Sequence, residues 1–284
     1  FSSMNDAEDF EEIWQGLDEK ETRAVILDLR DNGGGMIDAA FAMLDLMLEK
    51  KTLMATLHGR ADQGGDEARY SSGGGLPLNK IVVLVNGNTA SAAALMAGVL
   101  REAGGATLVG AQTYGKSQGQ YHLNLDGDYL VLTCLEMQLP QSGSWEGKGL
   151  APDVEAHALR TIRSYLKTAA ALDLDEPVYY GTQSEQALAV CQRLHALGYL
   201  AEPSDVLDTR ALGALRRFQQ DVGLETRILA DTDTLRALDT ACTRAASRGH
   251  MIDDVYYKAL DLCRAAAEQP LRYKTQANGS TRAA

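Results

Sequence analysis

The chain has 284 residues, 45% of them apolar, enough to bury one full core and leave room for a second, smaller one. Its 39 acidic residues outnumber 27 basic ones, for a formal net charge of −12, which argues against nucleic acid or an anionic membrane surface as a partner, because both bind through Lys and Arg. No apolar run approaches the roughly twenty residues of a membrane span, and the opening FSSMNDAEDFEEIW lacks the basic and apolar regions of a signal peptide.

Along the chain, Phe10, Ile13, Trp14 and Leu17 recur at helical spacing over residues 9–19. The continuous apolar run AVILDL at 24–29 then predicts a buried strand. DNGGGM follows, a tight loop whose glycines permit close backbone approaches, and a helix is expected from Ile37 to about Glu49. The stretch 58–79, with GRADQGG and SSGGGLP, predicts a mobile surface loop. A second strand, loop and helix unit comes next: KIVVLVN at 80–86, GNTAS, then a helix over 91–104. Further strands are expected at ATLVG and YLVLTCLEM. Continuous apolar strands alternating with helices predict a parallel or mixed sheet covered on both faces, in which ligands gather where strands end and helices begin.

Ser91 falls at the junction of the second strand and its alanine-rich helix, so a sharp turn would present its hydroxyl. Lys116 lies in TYGKSQGQ just past a strand, and DNGGGM offers glycine amides. A nucleophilic serine needs a base and an oxyanion needs donors, and a lysine serves as base once burial favours its neutral amine. The residues alone leave a plain reading beside this one: a serine before a helix is usually a cap, and a lysine in a glycine loop is usually solvated.

Three stretches together, VILDLRDNGGG, VVLVNGNTASAAALMAGVL and ATLVGAQTYGKSQGQ, resemble the tail-specific or C-terminal-processing serine peptidases in order and spacing. The likeness extends through GLAPD at 149–153 and covers roughly residues 1–157. It implies Ser91 as nucleophile, Lys116, 25 residues later, as general base, and Gln120 as the group that orients the amine. It also implies an oxyanion hole built from the backbone amide of Ala92 and that of Gly34 or Gly35. Ala93 and Ala94 stand where the family usually carries Ser-Glu. The fold implied is an α/β core of the crotonase-like and Clp-protease-like kind, needing no metal or cofactor. Phe1 would fall within a strand of the catalytic domain, with the family's PDZ domain outside this chain.

Residues 183–240 place leucines at helical spacing, with Gly198 and Gly223 as stops, which predicts three short helices in a small all-α domain. LGYL, LDTRA, RRFQ and DTDT resemble the peptidoglycan-binding type one domain, with a plain helical spacer as the alternative. The last helix, DDVYYKALDLC at 253–263, resembles the final helix of the peptidases. The expected organisation is therefore a catalytic core over 1–175, a helical insert over 182–245, a returning helix over 251–268 and a disordered tail over 270–284.

Cys134, Cys191, Cys242 and Cys263 lie far apart in apolar runs and predict buried thiols, with disulfides left open. His58, His122, His157, His195 and His250 share no metal-ligand spacing. Glu102 reads as a solvated helix residue, although the resemblance has an acidic residue there. The peptidase reading implies protein substrates with apolar C-termini, a location outside the cytoplasm and a possible homo-oligomer. Its rival is a non-catalytic binding protein of the same fold, attached to the cell wall through the insert.

Overall fold

A computed structural model describes residues 3–17, 21–59, 65–76, 78–157 and 159–269. The expected tail at 270–284 lies outside the described residues. The chain divides into two compact units: one holds residues up to Glu155 and those from Leu262 onward, the other Ala156–Asp261.

In the first unit, α1 (Met4–Gln15), β1 (Ala24–Asp28), α2 (Ile37–Met47), β2 (Leu53–Gly59) and β3 (Glu67–Tyr70) lead to β4 (Lys80–Val85) and α3 (Ala92–Glu102). They are followed by β5 (Thr107–Gly110), β6 (Gln118–Leu125), β7 (Asp128–Gln138) and β8 (Val154–Glu155). Two four-stranded sheets result. One is parallel, in the order β1-β4-β5-β8, and the other is antiparallel, in the order β3-β2-β7-β6.

The two predicted strand, loop and helix units are adjacent because β1 pairs with β4 in register, Ala24 opposite Lys80 and Asp28 opposite Leu84. β4 is fully enclosed from Val82 to Val85, as its unbroken Val and Leu run requires. β1 is only half-buried, contrary to the buried strand its sequence suggests, because it is an edge of the parallel sheet. α3 is enclosed on every side, and Ala92, Ala93, Ala94, Ala97 and Gly98 let neighbours approach closely: a Cβ on Gly98 would lie 2.5 Å from Leu139 Cδ1.

Three expectations change here. The stretch 58–79 is not all loop, since β3 pairs antiparallel with β2, with Leu57 opposite Glu67; residues 60–64 and 77 lie outside the described residues. β6 was not expected, and it pairs with β7 from Gln118 opposite Glu136 to Leu125 opposite Asp128. Asp126 and Gly127 close this hairpin with φ of 51° and 104°, the left-handed pair that a two-residue turn between twisted strands demands. Glu102, rather than lying solvated, accepts hydrogen bonds from the amides of Gln141 (2.7 Å) and Ser142 (3.2 Å) and ties the following loop to the end of α3.

The second unit contains β9 (Leu159–Thr161), α4 (Ile162–Leu166), β10 (Val178–Tyr179), α5 (Glu185–Ala196), α6 (Thr209–Asp221), β11 (Leu229–Ala230), α7 (Thr232–Ser247) and β12 (Met251–Asp253). α8 (Asp254–Ala267) begins in this unit, and its residues from Leu262 group with the first. The three predicted helices are α5, α6 and α7, whose Val190, Leu194, Leu215, Phe218, Leu235 and Leu238 share one core. Ser184, Asp208 and Asp231 cap them by accepting from the amides of Ala187, Ala211 and Thr234. Gly198 (φ 83°) and Gly223 (φ 76°) turn the chain after α5 and α6.

The unit is not purely helical, because β10 pairs with β11 and β9 with β12. The second pairing sets Arg160 opposite Ile252 and draws the chain from Ala156 into this unit, so the division falls at Glu155 and Ala156 rather than near 175. Gln219 accounts for part of the RRFQ motif. Its amide donates to Leu229 O and Thr234 Oγ1, both at 3.1 Å, and its carbonyl accepts from Arg227 N at 2.9 Å, fixing the α6 to α7 turn.

Candidate active site

Loops leaving the C-terminal ends of three adjacent parallel strands meet at one place: residues 29–36 after β1, 86–91 after β4 and 111–117 after β5. This is where open α/β sheets collect their ligands. The loop after β4 is held by its own polar side chains. Thr89 Oγ1 donates to Leu29 O (2.8 Å) and accepts from Asn86 N (3.0 Å). Ala90 N donates to Asn32 O at 3.0 Å, and Tyr114 N donates to Thr89 O at 3.0 Å. Asp31 Oδ1 accepts from Asn86 Nδ2 (2.9 Å) and Asn88 Nδ2 (2.8 Å), and these bonds, Asn88 first, hold its carboxyl below the usual carboxylate range.

Ser91 ends this loop at the N-terminus of α3 with φ 53° and ψ −127°. A non-glycine residue in that region is strained, and such strain persists only where the surroundings impose it. Here the Ser91 amide donates to Lys116 O at 3.2 Å, and its carbonyl accepts from Leu95 N at 2.8 Å. The residue is 9% exposed. This strand, sharp turn and helix arrangement is the geometry that lifts a serine hydroxyl above a sheet.

Lys116 follows the turn at Gly115 (φ 92°), where a Cβ would lie 2.8 Å from Gly149 N. Its carbonyl accepts from both Ser91 N and, at 3.1 Å, Trp145 Nε1, so one peptide group couples the serine turn to the lysine turn. Its half-buried side chain directs Nζ to Gln120 Oε1 at 3.0 Å. Among the described residues no hydrogen bond joins Ser91 Oγ to Lys116 Nζ; the amine rests on Gln120 instead.

The glycine loop faces the same point. Gly34 is packed against the serine turn: a Cβ there would lie 2.8 Å from Ser91 Cβ, Ala92 N and Ala90 O, and its φ is +93°. Its amide donates to Asn32 Oδ1 at 3.0 Å. The amides of Gly35 and Ala92 have no acceptor among the described residues. Gly34, Gly35, Ser91, Lys116 and Gln120 all line one cleft of ≈ 680 Å³, whose walls add Met36, Ile37, Leu57 and Leu135 as apolar surface. Arg69, on β3, is paired with Glu67 (3.0 Å) and Asp38 (3.6 Å) at its edge.

A sequence profile of peptidase family S41 matches residues 1–156. The chain belongs to that family. It is 29% identical over 239 residues to the carboxy-terminal processing protease CtpA of Bacillus subtilis (strain 168), covering 83% of this chain and 50% of that protein. To a probable CtpA-like serine protease of Staphylococcus haemolyticus (strain JCSC1435) it is 26% identical, covering 70% of this chain and 40% of the other. To a carboxyl-terminal-processing protease of Synechocystis sp. it is 35% identical, covering 48% and 32%. The chain thus spans half or less of the length of these relatives. Among solved structures, a photosystem II D1 C-terminal processing protease is similar at TM-score 0.42 and 29% identity, over 52% of this chain and 37% of that one.

Several residues around the cleft carry no motif of their own. Trp145 and Glu146 reach back from the segment after β7, the latter accepting from Ser117 N (2.6 Å) and Ser117 Oγ (3.0 Å). Asn86, Asn88 and Asp31 form their web across 55 to 57 residues of sequence. All four cysteines are free. Burial pushes the Cys242 thiol up to about 12 and that of Cys263 to about 11, and raises Cys191 as well, which marks inert core thiols. Cys134 differs: half-buried on the cleft wall, it donates to Gly119 O at 3.4 Å. Among the described residues there is no cluster of metal-ligating side chains, and no helix is long and apolar enough to cross a membrane.

Proposed function

We propose that this chain carries the active site of a serine endopeptidase that cleaves proteins near their C-termini through an acyl-enzyme on Ser91. What supports the reading most is the sharing of the Lys116 peptide group: its carbonyl fixes Ser91 while its side chain, steered by Gln120, reaches into the same cleft. Ser91 Oγ attacks the scissile carbonyl carbon and passes its proton to the neutral Lys116 amine. The Gly35 and Ala92 amides stabilise the oxyanion, Gly34 being engaged with Asn32 and serving to bring the loop against Ser91. Collapse of the tetrahedral intermediate expels the amine, which takes its proton from Lys116, and water then repeats the sequence on the acyl-enzyme.

Lys116 is half-buried in the open cleft, and a substrate chain closing over it excludes water from the reacting groups. The apolar wall of Met36, Ile37, Leu57 and Leu135 suits a substrate with an apolar C-terminal region. Cleavage of an unstructured protein with an apolar tail, lost on Ser91→Ala and on Lys116→Ala with unchanged circular dichroism, tests this. Cleavage surviving both substitutions, or none by the unaltered chain, counts against it.

For the helical unit, the resemblance of LGYL, LDTRA, RRFQ and DTDT supports a peptidoglycan ligand, and with it a place outside the cytoplasm. Co-sedimentation of the chain with murein sacculi tests that assignment. Light scattering tests the homo-oligomer that the family resemblance implies.

A further inference from the structure

The hairpin of β6 and β7 runs out from the active-site cleft and is sorted into two faces. Residues directly opposite one another share a face, so Tyr121 with Leu132, Leu123 with Leu130, and Leu125 with Asp128 form one side. Gln120, Thr133, Asn124 and Val131 lie on the other. The first side carries five large apolar side chains in six positions, all between 39% and 61% exposed. Antiparallel strands alternate in this way when one face is covered, and a contiguous exposed apolar patch marks a contact surface.

Resting on the peptidase reading above, we infer that this stripe is a secondary substrate-binding surface, which holds an extended apolar stretch of the polypeptide several residues away from the bond being cut. Three observations select that occupant. The stripe is continuous with the cleft, because Tyr121 is its first residue and also lines the cleft beside Gln120. β6 is an edge of its sheet, so its outer N–H and C=O groups offer main-chain pairing to an extended chain. The stripe's size also fits: its exposed side chains offer roughly 500 Å², short of the roughly 800 Å² per partner of a standard protein interface. From Tyr121 to Leu125 it runs about 14 Å, the length of one short extended segment. Asp126 and Asp128 at the tip, with the chain's net charge of −12, disfavour an anionic lipid surface.

The test compares two substrates on the full chain: a short fluorogenic peptide that fills only the cleft, and a long unstructured polypeptide with an apolar tail. Combined Leu123→Thr, Leu125→Thr, Leu130→Thr and Leu132→Thr substitution keeps strand propensity while removing the apolar face. Val131→Thr, on the opposite face and equally exposed, is the control. The expected result is a KM for the long substrate raised about tenfold with kcat unchanged, the short peptide unaffected, and Val131→Thr without effect. An unchanged KM, or an equal change in the Val131→Thr control, overturns the inference. So does light scattering in which the unaltered chain is a dimer that the fourfold variant dissolves, which assigns the face to a second copy. If the unaltered chain cleaves neither substrate, the peptidase reading fails by itself. The stripe is then judged by fluorescence anisotropy of the labelled long polypeptide on the Ser91→Ala chain, where binding lost with the leucines upholds it and binding retained overturns it.

Discussion

The two sides of the proposed active-site cleft are built by opposite means. The serine side is a turn in which strain is imposed by its surroundings: Ser91 sits at φ 53°, and the loops around it exchange bonds through Asn32, Asn86, Thr89 and the Lys116 carbonyl. On the lysine side the backbone turn is held by Trp145 and Glu146, but the amine itself, among the described residues, has one hydrogen bond, from Nζ to Gln120 Oε1, at the base of a solvent-exposed hairpin. A nucleophile must be placed within a few tenths of an ångström and repays rigid placement. A base that shuttles a proton between hydroxyl, leaving amine and water needs freedom to shift. On the proposed mechanism, the hydrogen bond from the amine to Gln120 is the resting contact, since hydrogen bonds of catalytic groups often tighten only with substrate bound.

Substitutions that act on one side alone sharpen this contrast. The largest effect is expected from Ser91→Ala, which should reduce turnover by roughly 10⁴-fold or more without lowering thermal stability, because among the described residues no hydrogen bond of Ser91 Oγ supports the fold. A loss of stability would mean the hydroxyl is a structural cap. Lys116→Ala should cost about 10³-fold in kcat, again with the circular dichroism spectrum unchanged, since only its backbone carbonyl serves the serine turn.

Gly34→Ala breaks the rigid side directly. A Cβ at 2.8 Å from three atoms of the serine turn, at φ +93°, should cost about 2–4 kcal/mol in a denaturant titration and suppress cleavage with it. An alanine tolerated there would show that the two loops are looser than described. On the lysine side, Gln120→Ala should lower kcat only about tenfold. Gln120→Glu, which keeps an oxygen acceptor within reach of the amine, should recover part of that loss. A Gln120→Glu chain as slow as Gln120→Ala contradicts the role of Gln120 in orienting the Lys116 amine.

The smallest effect is placed in the other unit. Asp208→Ala removes the side chain that accepts from Ala211 N at the start of α6 and should cost about 1 kcal/mol, read as a lower melting temperature. Cleavage of a short peptide should be unaltered, and a parallel fall in activity would show that the helical unit supports the cleft.

Much of both units was legible in the sequence, and the physical reason is local. β4, α3 and the helices α5 to α7 carry their own signals: a continuous Val and Leu run, alanine-rich helical spacing, Asp and Ser caps, and glycine stops. The candidates Ser91, Lys116 and Gln120 were legible through the resemblance to the processing peptidases, and they line one cleft. β6 was missed because QGQYHLNL mixes glycine, amide and apolar residues, yet the Asp126-Gly127 pair before a β-rich run was the signal that identifies it.

What no local pattern determines is how distant segments share groups. That β1 is a half-exposed edge, that residues 156–175 follow β9 into the helical unit, and that Glu102 ties down the chain at Gln141 depend on pairings made across the fold. The same holds at the site: the resemblance left Gly34 and Gly35 equivalent, and the reason for proposing Gly35 is that Asn32 Oδ1 occupies the Gly34 amide while Gly34 packs against Ser91. Sequence by itself determined the chemistry available, because side-chain type and motif spacing are local properties. Tertiary structure decided which groups are engaged and which face the cleft, because hydrogen-bond partners and steric contacts exist only once distant strands are brought together.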